Sequence, residues 1–173
     1  MAFNCVLSTG FVAGCSSVGG VEKVWLGTWD ADATFTFDAD NVITGVTTTE
    51  SVYLMDQDIE FAGIEQPGTI SRENGTVYYD TNLSLKFIEL DADLRNLLVA
   101  IGRAPLFAVV KSNAGDFYFC GVESAGRATE STASLGVALT DMNGANLTVN
   151  WKSPNGIYLM EGSLLGTDIT VGS

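Results

Sequence analysis

From Thr76 to Ile88 the side chains alternate in type for thirteen consecutive residues. Val77, Tyr79, Thr81, Leu83, Leu85 and Phe87 fall on one face of an extended chain. Tyr78, Asp80, Asn82, Ser84, Lys86 and Ile88 fall on the other. A period of two this clean and this long marks a strand. A short amphipathic helix and two hairpin-like segments follow it. That order suits a mainly β fold: a small β-sandwich flanked by one helix.

The helix is expected at about residues 91–103. Asp91 is its N-cap, and Asp93 adds negative charge to the first turn. Leu94, Leu97, Leu98 and Ile101 follow an i, i+3, i+4, i+7 pattern and form one apolar stripe. Gly102 and Arg103 mark the end, and Pro105 prevents continuation. A helix of about three turns needs a sheet to pack on, so the stripe belongs to the core rather than to a cofactor site.

Before the long strand, Val21 to Trp29 is expected to be extended, with Val24, Leu26 and Thr28 opposite Lys23, Trp25 and Gly27. Ala33, Phe35 and Phe37 share the face of a second strand expected to be buried. Asp38 to Asn41 is a turn cluster, and Val42 to Val46 a short strand. Tyr53-Leu54-Met55 and Gly63-Ile64-Glu65-Gln66 begin two more.

After the helix, Leu106 to Val110 and Phe117 to Gly121 flank a hairpin loop at 112–116. Residues 122–134 are small and polar and suggest a mobile connection. Val137-Ala138-Leu139 enters a last hairpin, Asp141 to Gly144 turns it, and Leu147 to Trp151 leaves it. Residues 154–173 are apolar in part but aperiodic. They are either a last strand of the same sheet or a tail that docks on a neighbour. The domain plan is an N-terminal arm at 1–20, a β-sandwich at 21–151 and a C-terminal tail at 152–173 that docks on a neighbouring subunit.

The 173 residues carry a formal charge of −13 and no histidine. Such acidity argues against wrapping nucleic acid, which needs clustered Lys and Arg at the phosphates. It is compatible with a wall past which DNA slides without sticking, and equally with a plain solvated surface. Cys5, Cys15 and Cys120 are too few and too odd in number for a disulfide framework. Without histidine or a CxxC pair they make no zinc site.

No apolar run of roughly 18 residues is present, so no membrane helix is expected. Val12-Ala13-Gly14-Cys15 resembles a lipoprotein cleavage box, but no Lys or Arg precedes it. Asn-x-Ser/Thr triplets at Asn74, Asn82 and Asn146 lack a secretory context.

Asp56, Asp58 and Glu60 are spaced by two. On a strand they would share one face, with Gln57, Ile59 and Phe61 on the other. Paired carboxylates serve acid–base chemistry or a metal, but an EF-hand pattern is missing, and an acidic solvent-facing stripe is the simpler account. Ser-His-Asp and Cys-His pairs are excluded, and neither a GxxxxGK[ST] loop nor GxGxxG after a strand occurs. No enzyme activity and no cofactor are expected.

The element order resembles the tail tube family of bacteriophages. Several stretches are similar to proteins of tailed phages of Bacteroidetes-type hosts. They are Cys5 and Cys15 ahead of Gly19-Gly20-Val21, the segment Asn74 to Tyr79, and the run Leu139 to Thr148. The similarity covers most of 1–151 and departs at 152–173.

The resemblance implies a tail tube-like β-sandwich with a barrel-forming sheet, one flanking helix, and an extended arm and loops. It implies hexameric rings of the chain, stacked into a hollow virion tube. Other tail proteins would be its partners, and DNA its non-specifically conducted cargo. Asp56, Asp58 and Glu60 would then be lumen-facing acids. Phe3, Phe11, Met142, Asn143, Tyr158 and Leu159 would make inter-subunit contacts. A neck, collar or tail-terminator ring is the neighbouring alternative. A secreted or lipid-anchored β-sandwich binding module is the alternative of another class, and a carboxylate-dependent hydrolase on Asp56, Asp58 or Glu60 is the third.

Overall fold

In a computed structural model of the chain, residues 10–11, 18–58, 60–138, 141 and 143–172 are described. Strands β1 (Val21–Thr28), β2 (Thr34–Phe37), β3 (Ile43–Thr47), β4 (Val52–Met55), β5 (Gly63–Glu65), β6 (Gly68–Ser71) and β7 (Thr76–Ile88) precede helix α1 (Ala92–Ile101). Strands β8 (Leu106–Ser112), β9 (Phe117–Cys120), β10 (Arg127–Ser134), β11 (Gly144–Ser153), β12 (Tyr158–Met160) and β13 (Val171–Gly172) follow, with a 3-10 turn at Gly162–Leu164 before the last.

The strands form two sheets. One has eight strands in the order β13-β4-β1-β8-β9-β12-β3-β2. The other runs β10-β11-β7-β5, with β6 also paired to β7. The fold is mainly β and sandwich-like, with a single α-helix among the described residues and no closed barrel.

The long alternating segment forms β7 as the sequence predicts. Leu83, Leu85 and Phe87 are buried on the face that looks at the larger sheet, while Ser84 and Ile88 are exposed. They meet Val24 and Leu26 of β1, Ala108 and Val110 of β8, and Leu147 and Val149 of β11 in the core between the sheets. Asp91 caps α1, since its Oδ1 accepts the Leu94 N–H at 2.7 Å. Leu98 and Ile101 are buried in the same core, and Leu94 and Leu97 pack at its margin. Gly102 ends the helix in right-handed geometry, with its N–H on the carbonyls of Leu98 and Ala100.

A second core lies on the other face of the eight-stranded sheet. Trp25, Ile43, Val46, Val52, Phe107, Val109 and Phe119 line it, with Tyr158, Met160, Leu164 and Ile169 from the C-terminal segment. β1 therefore buries both faces over Val24, Trp25, Leu26 and Gly27. Phe35 meets Phe119 edge-on at 5.1 Å, and Phe119 stacks on Phe107 at 5.3 Å. The contact between β2 and β9, three strands apart in the sheet order, requires the sheet to curl over its own second core.

The C-terminal segment completes this curl, which corrects the expectation of a tail docking on a neighbour. β12 lies inside the sheet, antiparallel to β9 with Tyr158 opposite Phe119, and parallel to β3 with Met160 opposite Ile43. The chain then crosses to the opposite edge, where β13 pairs with β4.

The predicted mobile connection at 122–134 is also corrected, because Arg127 to Ser134 form β10, paired with β11 in register from Arg127↔Asn150 to Ser134↔Gly144. Val137 and Ala138, expected to enter the last hairpin, lie outside any strand.

Candidate assembly interface

β10 is one edge of the five-stranded sheet. Among the described residues it pairs only with β11, and every residue of it but Ala128 is exposed. Its sequence, RATESTAS, has no proline and only two charges, Arg127 and Glu130. An extended edge of this kind presents a row of free N–H and C=O groups, and it lacks the lysines and prolines that usually blunt one. The opposite edge of the same sheet is shared by β5 and β6, aligned end to end along β7. Pro67 sits between them, and its carbonyl accepts the Asp80 N–H at 2.9 Å.

The β6–β7 hairpin reaches past the sheet. β11 accompanies β7 only as far as Tyr79, so Thr76 to Tyr78 pair with β6 alone. The turn at 72–75 closes on Gly75 at φ 64°, a conformation glycine adopts freely. Ile70 and Val77 sit opposite each other and are both exposed, as is Tyr78. A second apolar projection is the loop after β10, where Leu135 and Val137 stand in solvent. Asp141 Oδ2 accepts the N–H groups of Val137 and Ala138, each at 2.8 Å. Those two donors hold its carboxyl below the usual carboxylate range.

The predicted carboxylate stripe is not formed. Asp56, Asp58 and Glu60 are exposed, but the chain between β4 and β5 turns instead of extending. Phe61 N–H donates to the Asp58 carbonyl, and Glu60 has φ 67°. Gln57 Oε1 accepts the Lys86 N–H at 2.9 Å, and Lys86 Nζ lies 4.5 Å from the centre of the Phe61 ring. This loop thus covers the β7 edge beyond β5. Among the described residues no group of three His, Cys, Asp or Glu is placed to hold a metal ion.

The predicted contact residues are scattered. Phe3 and Met142 lie outside the described residues, as do Cys5, Cys15 and the box Val12 to Cys15. Phe11 is 92 % exposed. Asn143 is exposed, and its carbonyl accepts the Glu89 N–H at 2.8 Å. Tyr158 is buried in the chain's own second core, which corrects its assignment to an interface. Its hydroxyl donates to Glu123 Oε1 at 2.9 Å, and desolvation with that neighbouring carboxylate pushes its pKa up to about 12. Leu159, on the opposite face of β12, is exposed.

The features missed in the sequence are the β10 edge and the protruding hairpin. The signal for the first was a run of eight small or polar residues without proline, and for the second the pair Ile70 and Val77 flanking Asn74-Gly75.

No family model matches the chain, and no curated protein is significantly similar to it.

Proposed function

We propose that the chain is a structural subunit of a phage tail. In this reading copies assemble into hexameric rings that stack into a hollow tube for DNA passage, and the protein resides in the virion. The observation that carries the reading is the pair of sheet edges left unpaired among the described residues, β10 on one side and β5 with β6 on the other. The sheet is antiparallel throughout, so β10 runs opposite to β5 and β6. A copy placed beside it in the same sense would meet the β6 edge with its own β10 antiparallel. Repetition of that heterologous contact covers both edges at once and closes into a ring. A two-fold contact through β10 alone would leave β5 and β6 bare.

Exposed apolar side chains on the β6–β7 hairpin and the 135–138 loop add surface that a ring neighbour would cover. The acidity of the chain, including the exposed Asp56, Asp58 and Glu60, suits a lumen that repels the duplex. The fold class agrees with the tail tube resemblance, and ring number and virion location come from that resemblance alone.

Sedimentation velocity across a concentration series tests the reading with Ser131→Pro and Thr132→Pro. Successive N–H groups of a strand point to opposite sides, so one variant removes a bond to β11 and the other an outward donor. The variant that keeps the wild-type melting temperature is the informative one. It should remain monomeric where the wild type assembles. Wild-type assembly that this variant shares unchanged would remove β10 from the contact.

A further inference from the structure

We infer that β10 of one copy pairs with the β5–β6 edge of the next at a stagger of four residues, with Arg127 opposite Thr69. The inference rests on the self-assembly reading and fixes the register of that contact.

Within one copy the rungs of the sheet run straight across its strands. Arg127 pairs with Asn150, Asn150 with Asn82, and Asn82 with Glu65. Glu130, Thr148, Ser84 and Gly63 align in the same way. A neighbour joined without stagger would set Arg127 opposite Glu65. Its β10 would then run past Gly63 onto the 57–61 loop, and β6 would stay bare. Slips by an odd number exchange the two faces of a strand, so the even slips remain. A slip of two sets Glu130 against Glu65, like charges directly opposite. A slip of four lays the whole of β10 along β5 and β6, with Arg127 opposite Thr69 and Ser134 opposite Gly63.

Ring closure selects the same slip. Strands of a closed barrel tilt by roughly 35–45°. Each copy adds a width of four strands about 4.8 Å apart, and four residues rise about 13.6 Å. That ratio corresponds to a tilt of about 35°, whatever the number of copies. A slip of two gives only about 20°.

The sense of the slip follows from chirality. The Asp80 N–H donates to the Pro67 carbonyl and the Lys86 N–H to Gln57, and both side chains lie on the polar face of β7. For L-residues, β7 running upward with that face toward the viewer has β5 on its right and β10 on its left. The other face holds the core, so the polar face turns to the ring axis. Right-twisted strands coil around a barrel in a right-handed sense. The rung from Arg127 therefore meets the next copy on the β6 side of Glu65.

The hydrogen bonds are also in phase. Bonded and non-bonded pairs alternate from strand to strand along a rung, so Asp80 and Lys86 set the pattern for the whole sheet. By that pattern Ala128, Ser131 and Ala133 turn their N–H groups outward, to Gly68, Gln66 and Ile64 of the neighbour. Pro67, which has no N–H to give, falls opposite Glu130, with its carbonyl turned inward to Asp80.

Cysteine pairs on the full-length chain test the register, with Cys5 and Cys15 changed to serine. Arg127→Cys is combined with Thr69→Cys, Glu65→Cys or Ser71→Cys, and each double variant is oxidised with glutathione disulfide at a concentration where the wild type assembles. All four positions lie on strands at sheet edges, and positions 127 and 69 of one chain are too far apart to bridge, so a bond joins two copies. The Thr69 pair should form a covalent ladder of copies at least about tenfold faster than the Glu65 pair, whose thiols would stand about 13 Å apart along the strand. A ladder that forms fastest with Glu65→Cys or Ser71→Cys, or with none of the three, overturns the register while the assembly reading stands. A wild type that stays monomeric at every concentration overturns both.

Discussion

Asp168 accepts the backbone N–H of Val46 on its Oδ2 at 3.1 Å, across 122 residues of chain. The bond links the segment that leads into β13, at one edge of the eight-stranded sheet, to β3 near the other. Ile169 beside it is wholly buried in the second core with Ile43, Val46 and Val52. The last twenty residues are therefore structural within one subunit. Ile169→Ala should cost about 2–5 kcal/mol in the monomer, the range for an aliphatic side chain deleted from a packed core. Asp168→Ala should cost about 1 kcal/mol. Chemical denaturation of each variant at monomeric concentration checks both. A tail that docked only on neighbours would leave these values at wild type.

Gly126 and Trp151 make a second sensitive pair. The Trp151 Nε1 donates to the Leu106 carbonyl at 3.0 Å, and that carbonyl also accepts the Gly126 N–H at 2.8 Å. A methyl group on Gly126 would enter the space of the buried indole. Gly126→Ala should destabilise by about 1–3 kcal/mol, the usual cost of overpacking. Thermal unfolding and the near-ultraviolet signal of Trp151 provide the measurement.

What was legible in the sequence is what local chemistry dictates. β7 is long and half-buried, so its alternation is unbroken, and Asp91 with the Leu94–Ile101 stripe specifies α1 at both ends. β10 left no such mark because an edge strand exposed on both faces needs no apolar alternation. β12 and β13 are three and two residues long, too short to carry a period, and their place depends on strands more than a hundred residues earlier. The acidic triplet mimicked a strand because its spacing is two, but the positive φ of Glu60 turns the chain. The candidate interface was the least legible part, since it is defined by which edges tertiary pairing leaves open.

Removal of the helix cap isolates one local contribution. Asp91→Ala loses the bond to the Leu94 N–H and a carboxylate at the positive end of α1. A loss of about 1 kcal/mol is expected in urea titration, because the cap bond is exposed to solvent.

Two groups make the fold sensitive to alkali. Burial pushes the Cys120 thiol from 9.0 up to about 12, and desolvation with Glu123 pushes Tyr158 from 10.0 up to about 12. Both folded values exceed the unfolded ones, so the folded state holds these protons longer. Stability is fully present below pH 9 and falls as pH rises from 9 to 12. Cys120→Ala should remove the part of the decline that begins near pH 9, and Tyr158→Phe the part that begins near pH 10. Equilibrium denaturation in steps from pH 8 to 12 checks the order of the two.

Negative-stain electron microscopy of the purified protein across a concentration series tests the central claim most directly. The account predicts rings with a central hole that stack into tubes as concentration rises, with six copies around the axis. Small monodisperse particles at every concentration would contradict it.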